Sequence, residues 1–327
     1  MRPVIASAAP AHPLTRLAVI AAGLLLAGCS VIETFNAFVP TCGFRKTADI
    51  AYGGPAGDLS RRMLDVYVPA DPAPAGGRPV VLFFYGGSWE SGKKEEYVFV
   101  AEALTSQGWI AVVPDYRIFP EVKFPEFLDD AALAARWTRD NIAQYGGDPS
   151  RIFAMGHSAG AHIAAMLTYD GQQLAKAGMQ PRELAGFIGL AGPYDFLPLK
   201  SERLKVIFGP EDSRPRSQPI NFVTPVAPPA LLLHGDADTI VGPHNSANLA
   251  RRIRELGGQV RHERYAGIGH REIVVNLAAL FREGKPELPT IADFINATIS
   301  ARQQAQGGVQ RGAQAGAMSI PQARASE

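Results

Sequence analysis

From residue 44 to residue 300, short apolar runs alternate with longer amphipathic stretches. Phe44–Tyr52 and Arg62–Val68 read as two strands joined by a Gly-rich turn, Gly53–Asp58. In the second, Leu64, Val66 and Val68 alternate with Asp65 and Tyr67, the period of a half-buried antiparallel strand. A Pro/Ala/Gly loop leads to Val80–Tyr85, a continuous apolar run of strand length. Such a run suits a strand of a parallel sheet, covered on both faces. Tyr97, Val100 and Leu104 then share a helical face that Gly108 closes. The alternation continues with strand Ile110–Val113, helix Phe127–Ile142, strand Ile152–Met155 and helix Ala159–Leu167. Strands Ala185–Leu190, Ala230–His234 and Val260–Tyr265 follow, with helices around Leu249–Leu256 and over Pro289–Ile299. This order predicts an α/β fold: a mostly parallel, doubly wound sheet with helices on both faces and antiparallel strands at its N-terminal edge. Leu197–Pro229 is long, rich in proline and charge, and without a clear period. A segment of that kind is usually functional, for instance a lid.

The ends of the chain read differently. Leu17–Ala27 is an apolar run behind Arg16, too short to span a bilayer and of the length of a signal-peptide core. Leu26-Ala27-Gly28-Cys29 resembles a bacterial lipobox. That resemblance implies cleavage after residue 28, a lipidated Cys29, and a protein held at a membrane of the bacterial cell envelope, facing the periplasm. The expected organisation is a leader over 1–28, one domain over 29–300 and a disordered Gln/Ala/Gly/Arg tail over 301–327.

Composition narrows the classes. With 46% hydrophobic and 19% charged residues, the chain can bury a large core. Its net charge of +1 gives no basic field for nucleic acid; losing Arg2 and Arg16 with the leader moves that balance by two, to −1. Two cysteines make neither a disulfide framework nor a zinc site. Cys42 reads as a small, partly buried hydrophobe.

The chemistry concentrates at Gly156-His157-Ser158-Ala159-Gly160, a G-x-S-x-G between a predicted strand and a predicted helix. A sharp strand-to-helix turn there projects a serine hydroxyl beside a helix N-terminus. A serine needs a base. His270 follows the strand Val260–Tyr265 through the small-residue loop Ala266–Gly269 and suits that role. His234 should pack at a strand end, and His244 and His262 read as surface residues. The acid that orients the base should lie after strand Ala230–His234, where Asp236 and Asp238 both occur. Asp238, further into the loop, can reach sideways to His270; Asp236 suits loop capping. The order Ser158, Asp238, His270 is that of α/β-hydrolases.

YGGSWESG, DYRIFPE, FPEFLDD, YGGDPSRI, GHSAGAH, HGDAD and GIGH occur in that order. Together they resemble an α/β-hydrolase of the carboxylesterase branch, near the hormone-sensitive-lipase-like and feruloyl-esterase-like groups, over about Leu64–Leu280. Residues 146–166 are also similar to prenylcysteine carboxyl methylesterases and arylformamidases. The resemblance implies a serine acyl hydrolase acting on a small-molecule ester, with no cofactor and no metal; an amidase or methylesterase is the alternative. The intact serine, acid and histidine argue against a catalytically dead binding scaffold. Tyr85–Trp89 resembles the esterase HGGG loop, with Tyr for His and Ser for the last Gly. By that resemblance the amides of Gly87, Ser88 and Ala159 form the oxyanion hole. Asp115, Tyr116, Arg117 and Asp129 match positions read as structural. Tyr85, Trp89, Tyr194 and Phe196, with the 197–229 segment, are the expected pocket walls.

Overall fold

The structure, a computed structural model, describes residues 36, 39–53 and 61–317. The leader, Cys29 and residues 318–327 lie outside the described residues. Among the described residues, eight strands form one sheet in the order β1-β2-β4-β3-β5-β6-β7-β8. They are β1 Phe44–Ala51, β2 Met63–Pro69, β3 Arg78–Phe84, β4 Ile110–Pro114, β5 Gly147–His157, β6 Leu184–Leu190, β7 Ala230–Gly235 and β8 Val260–Tyr265. β1 and β2 are antiparallel, and β2 joins β4 antiparallel; from β4 to β8 all pairs are parallel.

The central strands are apolar because neither face sees water. Every residue of β6 is buried, and successive side chains point to opposite faces, so both faces are covered. The edges carry charge instead. β8 exposes Arg261 and Arg264 beside Glu263, and most of β1 is exposed. Charged edges discourage pairing with another sheet.

The helices are α1 Val98–Ser106, α2 Glu126–Asn141, α3 Ala159–Tyr169, α4 Gln172–Lys176, α5 Glu202–Phe208, α6 His244–Glu255, α7 Glu272–Val275 and α8 Glu287–Ala317. Among these, α3 is buried along its whole length, as its run of Ala, Ile, Met and Leu dictates. The expected tail boundary at Ser300 is not where the helix stops: α8 continues to Ala317. Ala301, Arg302, Gln303, Gln304, Ala305 and Gln306 are all good helix formers and carry the helix past Ser300.

The segment 197–229 is built, not loose. Besides α5 it contains short helical turns at Arg214–Ser217 and Pro219–Phe222. His162 of α3 bonds the Ser217 carbonyl at 2.8 Å, and Gln218 accepts the Phe196 amide at 2.8 Å. Cys42 is exposed, not half-buried.

One buried acid differs from expectation. Asp130, not Asp129, faces the core, where it holds Arg62 at 2.9 Å and Arg117 at 2.8 Å. Asp129 lies one residue round the helix, partly exposed, 3.5 Å from Lys176. Asp115 is buried as expected. It accepts the Tyr85 hydroxyl and the Lys94 amide, both at 2.8 Å, while its carbonyl accepts the Tyr52 hydroxyl.

Candidate active site

Ser158 links β5 to α3 at φ 56° and ψ −123°. A non-glycine residue pays strain there, and persists only when its surroundings hold it. They do: its amide donates to Leu190 O at 2.9 Å, and its carbonyl accepts the His162 amide at 3.1 Å. The glycines on either side are required by contact. A Cβ at Gly156 would overlap the Gly160 backbone, and a Cβ at Gly160 would overlap the Phe84 carbonyl. The turn can therefore press α3 against β3 only with glycine at both positions.

The structure brings Ser158, His270 and Asp238 into one chain of hydrogen bonds. His270 Nε2 lies 2.8 Å from Ser158 Oγ, and His270 Nδ1 lies 2.7 Å from Asp238 Oδ2. An ionised carboxylate can only accept, so Nδ1 carries the proton and Nε2 accepts from the serine hydroxyl. Burial would push the Asp238 carboxyl up, but hydrogen bonds from His234, His270 and the Val241 amide outweigh it and hold the group well below its usual range. Its other oxygen accepts the amides of Ile240 at 2.9 Å and Val241 at 2.8 Å. Asp236 points elsewhere, pairing at 2.7 Å with Arg264 on the surface.

Two histidines beyond the expected one take part in the packing of this site. His234 is fully buried. Its Nδ1 bonds Ser246 Oγ at 2.7 Å, and its Nε2 lies 2.9 Å from Val241 O and 3.2 Å from Asp238 Oδ2. His157 Nε2 donates to the carbonyl of His270 at 2.8 Å, and the two rings are 4.9 Å apart. Burial, with His270 beside it, pulls His157 down to about 3, so it is neutral and can act as a fixed strut.

The loop after β3 lies against the same serine. A Cβ at Gly86 would come within 3.1 Å of both Ser158 Cβ and His157 Nδ1. Gly87, Ser88 and Trp89 all have positive φ, at 132°, 55° and 60°. The Gly87 carbonyl is turned back to accept the Glu90 and Ser91 amides at 3.0 Å. Tyr85, which stands where the HGGG pattern has His, is buried beneath this loop and tied to Asp115. The loop is thus clamped from below. Ala159 opens α3, so its amide has no intrahelical acceptor.

Two cavities meet at Ser158. One, of about 540 Å³, is walled by Trp89, Phe196, Leu199, Leu204 and Val241. The other, of about 500 Å³, is walled by Tyr97, Phe99, His270, Val274 and Val275, with Glu96, Arg271 and Glu272 around it. Ser88, Ser158 and Ile240 border both. Trp89 and Phe196 are walls as expected; Tyr85 and Tyr194 are fully buried and line neither cavity. His244 is exposed as expected, and it also lines the first cavity.

The BD-FAE family model matches residues 64–253, more than half of the chain and including Ser158 and Asp238. The chain belongs to the BD-FAE family. His270 falls beyond the matched stretch and reaches the BD-FAE serine through the loop after β8. Among curated proteins, the isoprenylcysteine alpha-carbonyl methylesterase of Arabidopsis thaliana is 30% identical over 71% of this chain and 58% of its own length. Esterase LipQ of Mycobacterium tuberculosis is 29% identical over 80% of this chain and 65% of its own. The chain thus spans between about half and two thirds of the length of the curated relatives it matches. Thermogutta terrifontis esterase 2 in its apo form superposes with a TM-score of 0.64 at 25% identity, over 79% of this chain and 96% of that one. The architecture of this BD-FAE member is the α/β-hydrolase fold.

Proposed function

We propose that this BD-FAE member is a serine hydrolase that cleaves carboxylic esters through an acyl-enzyme. The hydrogen-bonded chain Ser158–His270–Asp238 carries the reading. His270 Nε2 takes the hydroxyl proton as Ser158 Oγ attacks the ester carbonyl. The oxyanion is received by the amides of Gly87, Ser88 and Ala159, with the positive end of α3 behind them. The imidazolium formed in this step lies against Asp238, whose carboxyl stays ionised because its hydrogen bonds keep it well below the usual range. His270 then returns the proton to the leaving alcohol, and a water activated by His270 releases the acid. Family membership and the esterases among the relatives support the ester as substrate class. Replacing Ser158 by Ala is expected to abolish hydrolysis of p-nitrophenyl esters and labelling by a fluorophosphonate, with an unchanged circular-dichroism spectrum. Hydrolysis surviving in that variant would sink the reading.

The same reading places the enzyme at a bacterial membrane through a lipidated Cys29, supported by Leu26–Cys29 behind the apolar run and Arg16. Cys29→Ser is expected to move the protein from the membrane fraction to the soluble one. Lipid labelling that persists in this variant would refute the anchor.

A further inference from the structure

The two cavities are not equivalent with respect to the base. His270 lines the second cavity and not the first. If the proposed ester mechanism holds, on which this inference rests, that difference assigns them. The Oγ–carbonyl bond forms, the bond from the carbonyl carbon to the alcohol oxygen breaks, and that oxygen takes the proton held at His270 Nε2. The leaving alcohol must therefore lie against His270, in the second cavity. The carbonyl oxygen points to Ser88, which both cavities share. The acyl group then leaves through the remaining exit, the first cavity.

From this we infer that the natural ester carries a bulky alcohol, apolar next to the ester oxygen and polar at its outer end. The alcohol side holds about 500 Å³, comparable with the acyl side at about 540 Å³ and within the range of pockets that enclose whole ligands. Buried Tyr97, Phe99 and Val274 form its inner wall. Exposed Arg271 and Glu272 and half-exposed Glu96 stand further out. A methoxy group would touch almost none of this wall. Contacts to the part of the substrate that departs lower the barrier when they orient the leaving oxygen at His270.

The test compares butyrate esters of two unactivated alcohols, methanol and 2-phenylethanol, and a series of methyl esters of increasing acyl length, on the full chain. The 2-phenylethyl ester is expected to have a kcat/KM at least about tenfold above the methyl ester. Val275→Trp, in the second cavity, should collapse that ratio while the acyl-length profile keeps its shape. Leu204→Trp, in the first, should shorten the preferred acyl chain while the alcohol ratio stands. The wild-type comparison does not depend on either variant folding. Equal rates on the two butyrates, or Val275→Trp changing acyl preference instead, would overturn the assignment and leave the ester mechanism standing. No turnover of any ester, with no fluorophosphonate labelling of Ser158, would overturn both.

Discussion

Replacing Asp238 by Asn tests the hydrogen-bond logic of the site most directly. The substitution keeps the size of the side chain but turns one acceptor oxygen into a donor. Asp238 Oδ1 holds the Ile240 and Val241 amides, and Oδ2 faces His270 Nδ1 and His234 Nε2. An amide that keeps its oxygen on the two backbone donors must aim its NH₂ at His270. That donor demands a bare Nδ1, so the proton shifts to Nε2, and the ring then donates to Ser158 instead of accepting from it. The flipped amide restores the working tautomer but sets its NH₂ against two partly buried backbone N–H groups. Each hydrogen bond lost in this way is worth about 0.5–1.5 kcal/mol. The first arrangement therefore dominates. A loss of about 10⁴ in kcat is expected, as for an orienting carboxylate made neutral in a serine triad, or about 5.5 kcal/mol of barrier. The assay is kcat/KM on a soluble p-nitrophenyl ester, corrected by active-site titration, with Asp236→Asn as control. Asp236 pairs with Arg264 on the surface, so its variant should stay within about twofold of wild type. A tenth of the activity remaining in Asp238→Asn, or an equal loss in Asp236→Asn, would refute the reasoning.

Two further predictions concern stability. Asp130→Ala removes the buried carboxylate shared by Arg62 and Arg117 and should cost about 3–5 kcal/mol; Asp129→Ala should stay within about 0.5 kcal/mol. Thermal melts of the pair decide it, and similar Tm losses would mean that Asp130 is not the buried anchor. His162 is held neutral in the core, pulled down by burial from 6.5 to about 4. As pH falls below 6.5 the unfolded chain takes the proton first, so this stability is full above 6.5 and is lost on the way down to about 4. His162→Gln keeps a donor for the Ser217 carbonyl but cannot titrate. Its Tm should fall less steeply between pH 6.5 and 4, and a slope equal to wild type would count against the argument.

The central strands β3 to β7 were legible because their apolar runs are continuous and cleanly bounded; β2 was legible by its alternation, and the charged edge strands β1 and β8 also lie where the sequence places them. The elbow and the order of serine, acid and histidine were legible because local geometry needs glycine at 156 and 160. What escaped was non-local. That His157 braces the carbonyl of His270 joins residues 113 apart, and no periodicity encodes it. Asp129 and Asp130 are adjacent on one helix, and a one-residue rotation decides which is buried. Leu197–Pro229 gave no period because its helices are too short to show one and are held by non-local contacts, such as Phe208 against Trp89 and His162 to the Ser217 carbonyl. Tyr85 and Tyr194 look like pocket aromatics in the sequence, yet their rings fill space under the site.

Ile240 serves the site in two separable ways. Its main chain donates to Asp238, while its side chain, 63% exposed, stands where the two cavities meet. Any residue other than proline supplies the same amide. Mutation at this codon can therefore redraw the border between the cavities without removing a donor from the acid. Descendants of this gene have at position 240 a single step by which selectivity can drift while the chemistry is inherited intact.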